Sequence, residues 1–173
     1  MLAGLPDSTK EELELNNVSK WSIASARDCN AADEAQFIST VAALEQLNLG
    51  DVVQQLWKLL AALLHLGNIE FVVGEEKGTW STNQQHHLDA AARLLGLNSN
   101  ELFQVITVRN FQAGSKSPVV LRPCSSQSDC AARRDTLIKL LYRLMFDMVL
   151  KRVNGKLGSP VESTVSAPKY LCK

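Results

Sequence analysis

The chain has 173 residues, enough for one domain with a real core, and its 46% hydrophobic and 21% charged content is that of an ordinary soluble globular protein. Lys plus Arg and Asp plus Glu both number 18, so no bulk electrostatic pull toward nucleic acid or an anionic membrane is expected. No signal-peptide pattern opens the sequence, and the longest apolar run, Leu59 to Leu66, is far below the ~18 residues that a membrane span needs, so a soluble cytoplasmic protein is expected.

Met1 to Leu5 is apolar and reads as the last turn of a helix ended at Gly4, as though the chain had been cut there. Ser8 and Glu11 have capping-box spacing, which predicts a short helix from about Lys10 to Leu15, stopped by Asn16 and Asn17. Asn30 to Asp33 supplies polar caps for a second helix carrying Phe37, Val41, Leu44 and Leu47, ending near Gly50. Asp51 opens a third, in which Leu56, Leu59, Leu60, Leu63 and Leu64 form the stripe of a helix with one buried face. Gly67 is expected to end that helix in the left-handed conformation, and Ile69 to Val73 to follow as a buried strand.

Gly74 to Asn83 is polar and without period, and reads as an exposed loop. Leu88, Ala91, Ala92, Leu94 and Leu95 form a helix closed by Gly96, and Asn98 with Glu101 caps the next, which carries Leu102, Val105 and Ile106. Arg109 to Pro123 is a hairpin or an extended loop whose apolar residues are Val119, Val120 and Leu121. The longest helix is expected from about Asp129 to Val153, with Leu137, Ile138, Leu141, Leu144, Met145, Met148 and Val149 on a broad apolar face. Asp135 sits early in it and Lys151 and Arg152 in its last turn, as the helix dipole favours, and Asn154-Gly155 should terminate it. Residues 158–173 have no period and are expected to be unstructured or non-native.

Few of these residues form a pattern that carries chemistry. His65, His86 and His87 lack a carboxylate or cysteine at ligand spacing, and the adjacent pair reads as polar residues at a helix start. Cys29, Cys124, Cys130 and Cys172 contain no C-x-x-C pair and read as free thiols. Asp129, Arg134 and Asp135 are assigned to helix structure, and Trp21, Trp57 and Trp80 are too scattered for a stacking platform. No G-x-x-x-x-G-K-[ST] phosphate loop occurs; Gly114-Ser115-Lys116-Ser117 lacks the first glycine and has a residue between glycine and lysine.

Four strings, in order, resemble the myosin motor domain: MLAGLPDSTKEELEL, DEAQFISTVAALEQLNL, LWKLLAALLHLGNIEF and RRDTLIKLLYRLMFDMVLKRVNGKL. In the last, Arg134, Asp135, Leu137, Lys139, Tyr142, Leu144, Phe146 and Asn154 hold matching places. The resemblance implies a mainly α fold with a few short strands. It would be a fragment of a P-loop NTPase-type α/β motor domain that lacks most of the central sheet. Residues 1–157 would form part of the upper 50-kDa region between the two nucleotide switches. The phosphate loop and both switch motifs would lie outside the chain, so it would bind no cofactor itself, while ATP and Mg²⁺ would serve the full-length parent.

The family's actin-contacting loop maps to about Arg109 to Pro123. The resemblance therefore implies actin-binding roles for Arg109, Gly114, Ser115, Lys116, Ser117 and Arg122, with basic groups facing an acidic filament. A position that is acidic or phosphorylatable in several members falls at Pro118 or Val119, neither of which can carry charge, although Ser115 and Ser117 are close by. The expected partners are actin filaments and the rest of a myosin heavy chain, in the cytoskeleton, with no nucleic acid. A free-standing helical binding or scaffold protein is the alternative. Because most of the sheet would lie elsewhere, apolar faces should be uncovered and the isolated chain should be molten or associate.

Overall fold

The computed structural model describes residues 2, 4–16, 21–24, 31–76, 78–112 and 120–157. The central element is the striped helix, α3 (Gly50–Gly67), against which α2 (Ala31–Gln46), α4 (Gln85–Leu95) and α6 (Gln127–Leu157) pack. Of its leucine stripe, Leu56 and Leu63 are buried and Leu59, Leu60 and Leu64 half-buried. Val52, Val53, Trp57, Ala61, Ala62, His65 and Leu66 are buried too, because neighbours surround its second half on nearly every side.

Two apolar cores divide along α3. One gathers Leu63 and Leu66 with Ile69, Phe71, Leu88, Ala91, Leu102, Ile106, Cys124 and Cys130. The other gathers Leu5, Leu13, Leu15, Trp21, Leu49, Val52, Val53, Leu56 and Trp57, with Phe37, Met145, Met148 and Val153 packed against it. Phe37, Val41, Leu44 and Leu47 of α2 all reach this second core, as their spacing predicts. Phe37 lies 5.0 Å from Trp57, ring centroid to ring centroid.

Several helix ends differ from expectation, each for a local reason. The first helix, α1, is Asp7–Glu12, and Ser8 lies inside it without capping it. Pro6 fixes the entry: its carbonyl accepts the Lys10 amide at 3.0 Å, and Asp7 stands in the first turn facing Lys10 at 3.3 Å. The helix ends before Asn16 because Glu14 turns left-handed, at φ 57°, which places both Leu13 and Leu15 in the core. No helix ends at Gly4 among the described residues; that glycine lies against Phe37, where a Cβ would collide.

Gly50 begins α3 and does not close α2, whose chain reverses at Asn48, φ 53°. Gly67 keeps helical geometry and is followed by Asn68 at φ −86°. Glycine is required there by close approach, since a Cβ would stand 2.7 Å from Ile23 Cγ2. Of the expected strand only Val72–Val73, β1, is regular, although Ile69 and Phe71 are buried. The segment read as a loop folds back as β2 (Trp80–Ser81), antiparallel to β1 with Val73 opposite Trp80.

The caps between α4 and α5 (Ser99–Thr107) are as the sequence predicts. Gly96 takes φ 68°, and the Leu97 amide closes on Ala92 O at 2.9 Å. Asn98 Oδ1 accepts the amides of Asn100 and Glu101 at 2.9 and 3.3 Å. Helix α6 is preceded by Ser126, whose hydroxyl accepts the Asp129 amide at 3.2 Å, and spans roughly 46 Å at 1.5 Å per residue. It continues through Asn154 and Gly155 to Leu157, and Arg152 pairs with Asp51 at 3.0 Å. The expected apolar face is half-buried except for Leu144, which is 55% exposed. Leu140, Tyr142, Phe146 and Leu150 are exposed as well, spread round the outer half of the helix.

Candidate functional site

Two short strands lie between α5 and α6. Strand β3 (Val108–Phe111) pairs antiparallel with β4 (Val120–Pro123), with Val108 opposite Pro123 and Phe111 opposite Val120. Of the expected site residues, Gly114, Ser115, Lys116 and Ser117 lie outside the described residues, as do Pro118 and Val119. Arg109 and Arg122 are brought directly opposite each other.

Like charges in that position repel, and each guanidinium has found a separate partner. Arg109 pairs with Asp129 on α6. Two bonds from Ser125, through its hydroxyl at 2.7 Å and its amide at 3.2 Å, hold the Asp129 carboxyl below the usual range, and Arg109 adds to the effect. Arg122 lies over the Phe111 ring, 4.7 Å from its centroid. Phe111, Val120, Leu121 and Arg122 are all exposed, Leu121 by 67%. The hairpin therefore presents apolar side chains beside a fixed positive charge. At its base an open depression of about 450 Å³ is lined by Gln104, Val105, Val108, Asn110, Leu121 and Arg133.

The residues that fix the hairpin were not recognisable from the motif. Arg133 donates to the carbonyls of Val105 at 2.7 Å, Ile106 at 2.9 Å and Val108 at 3.0 Å, supplying donors to carbonyls where α5 ends and β3 begins. Trp80, from the unexpected β1–β2 hairpin, donates its indole N–H to Cys124 O at 3.0 Å, and the Cys124 amide bonds Thr107 O at 2.8 Å. Arg134 donates to Ile69 O at 2.6 Å and to Asp135 at 2.7 and 2.9 Å, tying α6 to the chain leaving α3.

Cys124 and Cys130 are free, buried thiols beneath the hairpin; Cys29 and Cys172 lie outside the described residues. Burial, reinforced by Cys124, pushes the Cys130 thiol up to about 12, which makes it a core residue and not a nucleophile. Among the described residues no three His, Cys, Asp or Glu side chains converge as metal ligands, and no helix is long and apolar enough to cross a membrane.

The histidines depart from a solvated helix start. His86 and His87 do begin α4, but His87 is 4% exposed and His65 is 1% exposed. Their Nδ1 atoms lie 2.9 Å apart, and Trp21 sits edge-on to the His65 ring with centroids 5.2 Å apart.

Comparison with known proteins places this architecture. Unconventional myosin-XIX of Homo sapiens is 33% identical over 111 residues, 62% of this chain and 11% of that protein. Myosin-K heavy chain of Dictyostelium discoideum is 30% identical over 159 residues, 89% of this chain and 18% of its own length. Myosin-2 of Saccharomyces uvarum is 30% identical over 165 residues, 92% of this chain and 10% of its own. The chain thus spans less than a fifth of each of these relatives. The myosin head (motor domain) family matches residues 1–167, nearly the whole of the chain and both helical cores, so the protein belongs to that family.

Proposed function

We propose that this chain is a piece of an actin-based, ATP-driven motor, lying between the two nucleotide switches of a P-loop NTPase-type domain, and that its hairpin is an actin-contacting surface. The observation that carries the proposal is the anchored hairpin: Arg122 seated on Phe111, exposed Val120 and Leu121, and a base held by Arg133. Its partner is an acidic filament surface, met first by charge and then by apolar contact. Arg109 is shared with Asp129, so Arg122 contributes more of the charge at the described end of the hairpin.

In the parent, ATP and Mg²⁺ are bound by the phosphate loop and switches. The residues present here do not fit that site, since the phosphate-loop pattern does not occur in the sequence. This chain alone is therefore an inactive part of an ATPase working in the cytoskeleton. The number of large apolar side chains exposed on α6 favours this reading over a free-standing scaffold. Leu140, Tyr142, Leu144, Phe146 and Leu150 are the kind of exposed apolar side chains that the rest of a heavy chain would cover.

Co-sedimentation with actin filaments tests the proposal. The chain should pellet at low salt, less at high salt, and equally with or without ATP, and Arg122→Glu should weaken pelleting severalfold. A folded chain that does not pellet at low salt, or whose pelleting ignores Arg122→Glu, would refute the assignment of the hairpin.

A further inference from the structure

The pleat of the β3–β4 pair divides it into two faces. Arg109, Phe111, Val120 and Arg122 share one face, and Val108, Asn110 and Leu121 share the other, with Asn110 directly opposite Leu121. This second face, together with Gln104, Val105 and Arg133, lines the open depression at the base of the pair. Val105 and Leu121 are both largely exposed there, so its apolar wall has no cover among the described residues.

The polar groups on the same depression have donors to spare. A guanidinium carries five N–H groups. In Arg133 the one on Nε goes to Ile106 O and the two on Nη2 go to Val105 O and Val108 O. The two on Nη1 have no partner among the described residues. All three acceptors are neutral carbonyls, so no carboxylate compensates the positive charge. Asp129, one turn earlier on α6, is occupied by Arg109 and by Ser125. The side-chain amides of Gln104 and Asn110 are likewise without a partner among the described residues, and each offers two further N–H donors.

An uncompensated cation with spare donors, walled by aliphatic side chains, suits a carboxylate on a short apolar stem. The carboxylate only accepts, and its two oxygens can take bonds from Arg133 and the neighbouring amides while the methylene stem packs on Val105 and Leu121. A basic side chain would be repelled. A purely apolar one would strip water from the Arg133 charge and leave it unpaired.

We infer that this depression receives an aspartate or glutamate side chain of the actin filament, and that Arg133 is the residue that selects it. The inference rests on the β3–β4 pair being the filament-contacting surface, and it adds a second contact on the face opposite Arg122. Three donors of Arg133 hold the end of α5 to the start of β3, and its remaining two meet the filament.

Gln104 gives the test, because it is exposed and lines the depression without taking part in the anchor. Gln104→Glu supplies the depression with a carboxylate of its own, and should lower the affinity for actin filaments about fivefold at low salt. Gln54→Glu, exposed on α3, makes the same change of net charge and should have little effect. Gln104→Lys reports the filament's group directly. With a water-soluble carbodiimide, which activates carboxylates, the introduced amine should form an amide with an acidic residue of actin, located by peptide mapping, and Gln54→Lys should not. Arg122→Glu separates this inference from the reading beneath it. If Arg122→Glu weakens pelleting but Gln104→Glu behaves as Gln54→Glu, or position 104 yields no actin amide, the carboxylate site is overturned and the hairpin assignment stands. If the folded wild-type chain does not pellet, or ignores Arg122→Glu, both fall. Should one Gln104 variant fail to fold, the other decides.

Discussion

Removing the Arg133 guanidinium should loosen the hairpin from its helical base. Its three bonds, at 2.7, 2.9 and 3.0 Å, reach the carbonyls of Val105, Ile106 and Val108. Bonds from a charged donor contribute about 1.5–3 kcal/mol each, but the Val105 carbonyl is exposed and regains water when the arginine is lost. The net loss in Arg133→Met, which keeps the aliphatic stem, is therefore about 2–4 kcal/mol. With a urea slope of about 2 kcal/mol per M, the unfolding midpoint should fall by about 1–2 M. Trp80 is a suitable probe, because its indole bonds the carbonyl of Cys124 at the foot of β4. Arg133→Lys should recover only a minor part, since an ammonium cannot span three carbonyls as the planar fork does. A Met variant within about 0.5 kcal/mol of wild type, or a Lys variant equal to it, would refute this account of the anchor.

The remaining predictions concern pH, caps and the exposed apolar side chains of α6. Unfolded His87 binds its proton near 6.5 and folded His87 only near 4, so the unfolded state binds more protons between those values and stability rises with pH across that window. At about 1.4 kcal/mol per pH unit, His87 alone should remove about 3 kcal/mol as pH falls from 6.5 to 4, and urea titrations at a series of pH values should show the slope, reduced in His87→Asn to what His65, also lowered by burial, still contributes. Asn98→Ala removes two capping bonds and should cost about 1 kcal/mol, and Gly96→Ala, at φ 68°, about the same; either change should lower the thermal midpoint by a few degrees. The isolated chain should associate with rising concentration, and Leu144→Ser with Phe146→Ser should reduce that association without loss of stability, as read by sedimentation velocity.

Local signals made much of the fold legible. The leucine spacing of α3, the Gly96 and Asn98 caps and the length of α6 each rest on residues within one or two turns, and the structure agrees with them. Where tertiary packing competes with a local signal, the packing prevails. Leu13 and Leu15 seek the core and end α1 early, despite the capping-box spacing of Ser8 and Glu11. Helix α6 runs on through Gly155, at a propensity cost of about 1 kcal/mol, with Val153 packed on the second core and Arg152 paired with Asp51.

The pairing of β3 with β4 could be placed by its apolar residues and bounding turn residues, but its anchors could not. Arg133 reaches carbonyls 25 to 28 residues away, and Trp80 reaches one 44 residues away. Two-residue strands such as β1 and β2 leave no period to detect. The histidine pair joins residues 22 apart on different helices, and spacing alone made His87 look like one of two solvated neighbours.

The most direct test of the central claim asks whether the hairpin touches actin. A photo-crosslinking residue placed at Asn110, on the exposed hairpin, is compared with one at Lys139, exposed on α6, each in a chain shown to be folded and mixed with actin filaments at low salt. The account predicts an actin adduct from position 110 that fades as salt rises, and little or none from position 139. Equal adducts from both positions, or an adduct from 139 alone, would contradict the assignment of this hairpin as the filament-contacting surface.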